Sequence, residues 1–436
     1  MEIVFVDSEP PDASGGGIRT YLRLAMGICR AAGHRARVYT HNPSAYPGEE
    51  ARAIGRMPWL RRPLRGLAYR RCSAENVLWE HARWLEAELA AQDSPERVYE
   101  FCDFMGYAYF ALRNRALRDR ILVRVHTPGF LVPPATGRER VSIWKRLAMR
   151  LEARRERDCL HRAARLTAPS AAFIREKLPW LARWEHIPNP LPPDMTGGGA
   201  RSADRHAAAA PAEVPGKIPE THGLPGDDGS GWSAAEEDAR ETAERNAPRP
   251  DRIVPERFLY LGRVEERKGV LVLVRAFIRL AAERPFASLT LVGGTVPGPY
   301  AAAVRYLIES QPAAIRPRLI WEPPCAPEAR AALFRRFSAL VAPSLWENSP
   351  YVYFEGMAAG LACIGTATGE MKAAAEATGA LSPGPGDEDA LLAALRAHCA
   401  GAARAALPAQ AAYLRDGREK IPAMLLDSWR RALEAR

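Results

Sequence analysis

The amino-acid sequence predicts an α/β protein built from two doubly wound parallel-sheet domains that face one another across a cleft. Three observations lead there. Short apolar strands alternate with helical spacing through residues 1–194, and the same alternation resumes over 253–407. Between the two, residues 195–252 carry few large apolar side chains. Strand–helix alternation makes successive strands parallel and lays the crossover helices on both sheet faces. A length of 436 residues points to two domains as well.

The elements follow in order. Ile3-Val4-Phe5-Val6 reads as a strand, followed by a glycine loop at Gly15-Gly16-Gly17. A helix from Ile18 places Ile18, Leu22, Ala25, Met26 and Cys29 on one face, and Gly33 supplies a stop. Further strands are predicted at Arg37–Thr40, Arg97–Glu100 and Ile121–Val125, the last running into His126. From Met195 to Arg252 the large apolar residues are Met195, Val214, Ile218, Leu224 and Trp232. So few anchors do not offset the ordering entropy of such a stretch, which predicts a disordered insertion. A regulatory or partner-docking segment is the alternative. Strands then return at Phe258–Leu261, Leu289–Val292, Arg318–Trp321, Ala339–Ala342 and Ala362–Gly365, with helices over Gly269–Arg284 and Tyr351–Gly360. Residues 408–436 read as a helical tail with Met424, Leu425, Trp429 and Leu433 as its apolar stripe.

Composition narrows the function classes. Seven scattered cysteines without a C-x-x-C pair exclude a disulfide framework and a zinc ribbon, and fit a reducing cytoplasm. The first residues already read as a strand rather than a signal peptide. No apolar run reaches the roughly 18 residues of a membrane span. A soluble, cytoplasmic chain is the expectation. The net charge of +10 is unevenly placed: Arg113 to Arg165 holds fifteen Arg or Lys against five Asp or Glu, and Arg52 to Arg71 holds seven arginines and no acid. Such clustering suits an anionic partner. A solvated helical face is the plainer explanation.

Several motifs sit where strands end. Gly16 and Gly17 lack side chains, so their amides and the positive end of the following helix can approach an anion; many strand–helix turns use glycine for geometry alone. Neither G-x-G-x-x-G nor G-x-x-x-x-G-K-S/T occurs, which disfavours a dinucleotide-dependent oxidoreductase. In Gly262-Arg263-Val264-Glu265-Glu266-Arg267-Lys268-Gly269, Arg263 follows a strand and Lys268 precedes a helix. Both cations can neutralise a diphosphate leaving group. Glu347 and Glu355 are acceptor-only side chains suited to sugar hydroxyl pairs. His126, at a strand end before Thr127-Pro128-Gly129, can serve a substrate hydroxyl, although a lone histidine is often structural.

Together these residues resemble the retaining glycosyltransferases of the GT-B fold, the group 1 or family-four enzymes, which have two Rossmann-like domains. The most specific part is PSLWENSPYVYFEGMAAG, residues 343–360, similar to the family's E-x7-E segment; residues 262–269 resemble its diphosphate loop. The resemblance implies a nucleotide-sugar donor, no metal or other cofactor, and transfer with retention. Arg263 and Lys268 would hold the diphosphate, Glu355 the ribose, and Glu347 would lie beside the transferred sugar. His126 would contact that sugar, and Gly16 and Gly17 would offer amides to the phosphates. Asn348 and Ser349, within the same segment, count as donor contacts. Pro350 departs from the glycine common in relatives and offers no N–H. Ala367 to Lys372 only loosely resembles the usual glycine-pair segment. A catalytically silent scaffold or a GT-B nucleotide-sugar epimerase would share these motifs. The acceptor is a glycan, a lipid-linked saccharide or another hydroxyl compound, and nucleic acid is not an expected partner. A basic, partly aromatic face (Trp59, Arg61, Arg62, Arg65, Trp144, Lys145, Arg146) would give peripheral contact with an anionic membrane at its inner face.

Overall fold

The computed structural model describes residues 1–9, 16–58, 73–132, 143–192, 256–296 and 298–435. The insertion at 195–252, Gly15, and Trp59, Arg61, Arg62 and Arg65 of the basic face lie outside the described residues.

The first sheet has seven parallel strands: β1 (Glu2–Val6), β2 (Arg35–Thr40), β3 (Glu50–Ala53), β4 (Arg97–Cys102), β5 (Ile121–Arg124), β6 (Arg165–Ala168) and β7 (Glu185–His186). Their order is β3-β2-β1-β4-β5-β6-β7. The strand order reverses beside β1, so the crevice where ligands enter such sheets opens at the carboxyl ends of β1 and β4. Helix α1 (Gly17–Ala31) buries Leu22, Ala25, Met26 and Cys29 of the predicted face, with Tyr21 beside them and Ile18 half-buried, against Ile3 and Phe5 of β1. Helices α2 (Ser73–Ala91), α3 (Ile143–Arg162) and α4 (Ala171–Lys177) complete this part.

The second sheet has five parallel strands: β8 (Arg257–Leu261), β9 (Ser288–Val292), β10 (Leu319–Glu322), β11 (Ala339–Ala342) and β12 (Ala362–Gly365), ordered β10-β9-β8-β11-β12. The predicted strand at Arg318 begins one residue later, because Arg318 closes a 3-10 turn. Its guanidinium then bonds the carbonyls of Ala281 and Arg284. Helices α5 (Val270–Glu283), α6 (Pro299–Glu309), α7 (Arg330–Phe334), α8 (Tyr351–Ala358), α9 (Gly369–Thr378) and α10 (Glu388–Cys399) cover it. The structure therefore has the two parallel-sheet α/β domains that the alternation of strands and helices predicts.

The last helix, α11 (Leu407–Glu434), belongs to both halves. Its Leu414 packs with Tyr353 and Phe354 of the second domain, whereas Ile421, Leu425 and Trp429 join the cluster around Ile3, Phe5 and Tyr21 of the first. Trp429 is fully buried, meets Phe5 edge-on at 5.7 Å, and donates from Nε1 to Glu100 Oε2 at 2.5 Å. Tyr21 donates to the other oxygen of Glu100, also at 2.5 Å. Burial pushes the Glu100 carboxyl up, and the Arg124 charge and then these two donors offset that in part, which makes an acceptor tolerable in β4. Trp429→Ala removes the ring and leaves Glu100 one donor short, which is expected to lower unfolding stability by roughly 3–5 kcal/mol. Denaturant titration checks this; a loss under about 1 kcal/mol would show that α11 does not secure the first domain.

Candidate functional site

The second domain builds the denser half of the site from two loops. After β8, Gly262 to Gly269 turns into α5 through a 3-10 turn, Glu266–Lys268. Gly269 has φ +66, and a Cβ there would sit 2.0 Å from the Pro343 carbonyl oxygen. Only glycine allows that approach, and it lays Lys268 against the loop after β11. The two loops are then knitted together: Leu345 N–H donates to Arg267 O at 2.8 Å, and the Arg267 guanidinium reaches Trp346 O at 3.4 Å and lies over the Trp346 ring.

Glu347 is where the charges converge. Its Oε1 accepts from Lys268 Nζ, stands 2.9 Å from Arg267 NH1 and accepts from Ser344 Oγ at 3.1 Å. Burial alone would raise this carboxyl, but Arg267 and Lys268 outweigh it and hold it at about 2. Burial pulls the Lys268 ammonium below its ordinary value despite Glu347. Arg267 also meets Glu265, NH2 to Oε1 at 2.9 Å, so the two cations are matched by two carboxylates and the surplus positive charge of this loop is Arg263's. Arg263 stands apart, with a mostly exposed side chain 3.4 Å from Glu265.

The loosely matching segment at Ala367–Lys372 holds this arrangement from beneath. Glu347 N–H donates to Thr368 Oγ1 at 3.1 Å, and Glu370 N–H donates to Asn348 O at 2.7 Å. Gly369, at φ +53, runs so close that a Cβ would lie 2.2 Å from Glu347 O.

Asn348 carries the loop across to the first domain. Its Nδ2 donates to Val125 O at 3.1 Å and to His126 O, at the carboxyl end of β5. Trp346 stacks on Phe173 at 6.2 Å, and Tyr351 is buried in the cluster of Ile3, Phe5 and Tyr21. Gly17 faces the Tyr351 ring, and a Cβ at Gly17 would lie 3.9 Å from it. His126 is buried, its ring meeting Tyr21 edge-on at 4.9 Å, with Nε2 unpartnered. Burial and then Arg124 hold its pKa well below the ordinary value, so it is a neutral imidazole at pH 7. The structure thus brings together Gly17, His126, Asn348 and, through the adjoining loop, Glu347 and Lys268.

Three further residues have prior engagements. Gly16 N–H donates to Glu9 Oε2 at 3.2 Å, so the amide that could meet a phosphate already meets a carboxylate. Burial raises Glu9. Glu355, on α8, accepts at both oxygens from Arg330 NH1, at 2.7 and 2.8 Å; each oxygen retains a lone pair for another donor. Ser349 O accepts from Asn189 at 3.4 Å, and Ser349 borders a cavity of about 200 Å³ with His186, Phe354, Glu370 and Tyr413 rather than joining Lys268. Sequence reasoning missed Arg267, although it stands beside Lys268, and it missed Arg330 and Glu9, for which no spacing signal exists. Among the described residues, no group of three or more His, Cys, Asp or Glu side chains is placed to hold a metal ion.

Residues 255–400 match the family model for glycosyl transferases group 1. The chain has the GT-B fold. Among solved structures it is similar to sucrose-phosphate synthase of Thermosynechococcus elongatus, with 19% identity, TM-score 0.61, and 97% of this chain and 94% of the other covered. It is similar to Anabaena HepE in complex with UDP-glucose, with 15% identity, TM-score 0.62 and coverage of 98% and 100%. The trehalose-phosphate synthase of Burkholderia xenovorans, in complex with glucose-6-phosphate, gives 15% identity, TM-score 0.61 and 99% coverage of each chain. No curated protein sequence matches the chain.

The Glu347 cluster makes stability depend on pH. Its folded pKa lies below its unfolded value, so the contribution is complete well above about 4.5 and is lost as pH falls toward 2. Glu347→Gln is expected to cost roughly 3 kcal/mol at pH 7 and clearly less at pH 4. Denaturant titration at both pH values checks this, and an equal cost at each would contradict it.

Proposed function

We propose that this protein is a retaining, metal-independent glycosyltransferase that moves a sugar from a nucleoside diphosphate onto a glycan, lipid-linked or other hydroxyl acceptor. The reading rests on Lys268: a half-buried ammonium beside a second cation, Arg267, at the carboxyl ends of two facing parallel sheets. The match of residues 255–400 to group 1 glycosyltransferases supports it, as does the UDP-glucose bound by HepE.

In the transfer, an acceptor hydroxyl oxygen bonds to the anomeric carbon on the face that the phosphate leaves. The anomeric carbon–oxygen bond breaks, its electron pair goes to the diphosphate, and the hydroxyl proton passes to a phosphate oxygen. Negative charge grows on the departing group, where Lys268 and Arg263 stabilise it without a metal. Neutral His126 can donate to a sugar hydroxyl without adding charge. Glu355 takes the ribose hydroxyls on its remaining lone pairs, with Arg330 keeping it oriented. For Gly16 to serve a phosphate, Glu9 must give way.

Lys268→Ala and Arg263→Ala are each expected to reduce nucleoside diphosphate release from the nucleotide sugar by at least about tenfold while the fold survives. Normal turnover in a folded double variant would contradict the assignment.

We infer further that the protein works in the cytoplasm and meets its acceptor at an anionic membrane surface. Among the described residues no helix is long and apolar enough to cross a membrane. The start of α3, however, exposes Ile143 at 76%, together with Trp144, Leu147 and Met149. Lys145, Arg146 and Arg150, also exposed, are interleaved with them. Each cation near an anionic surface contributes about 1 kcal/mol, and the apolar side chains add burial. Sedimentation with phosphatidylserine vesicles at low salt should capture the protein, and replacing Lys145, Arg146 and Arg150 by Ser should release it. Equal indifference to anionic and neutral vesicles would rule the surface out.

A further inference from the structure

The inner end of α3 does something different from its exposed start. Glu156 is fully buried. Its Oε1 accepts from Met105 N–H at 2.7 Å and Gly129 N–H at 3.1 Å, and its Oε2 accepts from Phe130 N–H at 3.1 Å. Met105 belongs to the loop after β4, and Gly129 and Phe130 to the loop after β5. One carboxylate therefore ties together the two loops that enter the cleft from neighbouring strands.

Each loop leads to His126. The loop after β4 begins at Asp103, whose Oδ1 accepts from His126 N–H at 3.0 Å. The loop after β5 carries His126 as its second residue. Neighbours of Glu156 reinforce the first loop: Arg155 Nε donates to Met105 O at 2.9 Å, and Cys159 Sγ approaches Gly106 O at 3.6 Å. Met105 is held at φ 63, the one non-glycine residue with positive φ among the described residues. A side chain in that region costs free energy and persists where surrounding contacts over-determine it. Here the contacts on both its N–H and its C=O come from α3. Gly106 and Gly129 leave the room: a Cβ at Gly129 would lie 2.9 Å from Glu156 Oε1, and one at Gly106 would lie 2.9 Å from Arg155 Cγ.

We infer that Glu156 is a positioning residue for His126: its carboxylate spans the Met105 and Gly129–Phe130 amides and so sets where the imidazole stands in the cleft. As far as His126 serves transfer, this rests on the glycosyltransferase reading; the tie between the loops does not. Burial and Glu152 push the Glu156 carboxyl up to about 7 while the Met105, Phe130 and Gly129 amides pull it down, and it is the ionised form, accepting at every lone pair, that suits three N–H donors on two oxygens. An amide in its place turns one oxygen into an NH2 group facing an N–H donor.

The test uses the full-length Glu156→Gln protein. Amide hydrogen exchange should be at least about tenfold faster than wild type in both 103–106 and 126–131, with the sheets protected as before. UDP affinity by calorimetry should change by less than about twofold, since Lys268 and Glu355 lie in the other domain. In donor turnover kcat should fall by about tenfold, with donor KM within about twofold of wild type. Unchanged exchange in both loops of the folded variant overturns the inference, as does a uniform rise across the whole first domain. If Glu156→Gln does not fold, Glu156→Asp keeps the charge, shortens the reach and is read the same way. A wild type inactive toward nucleotide sugars would count against transfer, while the exchange pattern would still decide the positioning.

Discussion

The loop from Trp346 to Tyr351 is seated in two domains at once, and much of the site depends on that seating. Trp346 stacks on Phe173, Asn348 donates to the carbonyls that end β5, and Tyr351 is buried among the residues of β1 and α1. Backbone carbonyls at a strand end need donors, and here a side chain from the opposite domain supplies them. The loop can take this position only with the two sheets facing. Conversely, a displacement of the first domain would be felt at Glu347, next to Asn348 in the chain. The two domains are thereby linked through this loop as well as through α11.

Groups suited to a ligand are also matched internally. Glu347 answers Lys268 and Arg267, Arg330 answers Glu355, and Glu9 answers Gly16. Buried charges are costly without partners, and these pairings offset that cost. Glu9 pairs with the amino end of α1, where helix geometry favours an anion.

Much of the fold was legible in the sequence. The predicted strands of both sheets lie close to where runs such as Ile3–Val6 and Ala362–Gly365 place them, because period and apolarity are local properties of the chain, whereas the short strands β3, β6 and β7 carry no comparable run and are not predicted. The α1 face follows from the spacing of Leu22, Ala25, Met26 and Cys29 alone. What stayed hidden were pairings set by sheet order. Lys268 and Glu347 meet because β8 and β11 are neighbours, a consequence of crossovers that no local pattern encodes. Glu156 is one acid in an arginine-rich run, and nothing in its spacing distinguishes it from the partly exposed Asp158. The Ala367–Lys372 segment looked weak as a motif, yet Thr368 and Gly369 support the Glu347 backbone. A motif scores side chains, whereas that support is made by a hydroxyl and by the absence of a Cβ.

If the cations beside Glu347 form a site for the diphosphate of a nucleotide sugar, the intact protein must distinguish diphosphates from their shorter counterparts. Calorimetric titration with UDP, GDP and ADP, each beside its monophosphate and its nucleoside, tests this most directly. At least one diphosphate should bind, with an affinity at least about tenfold above its monophosphate, because the second phosphate meets the half-buried Lys268 ammonium. No binding by any of the three diphosphates, or equal binding of the paired monophosphate, would contradict it.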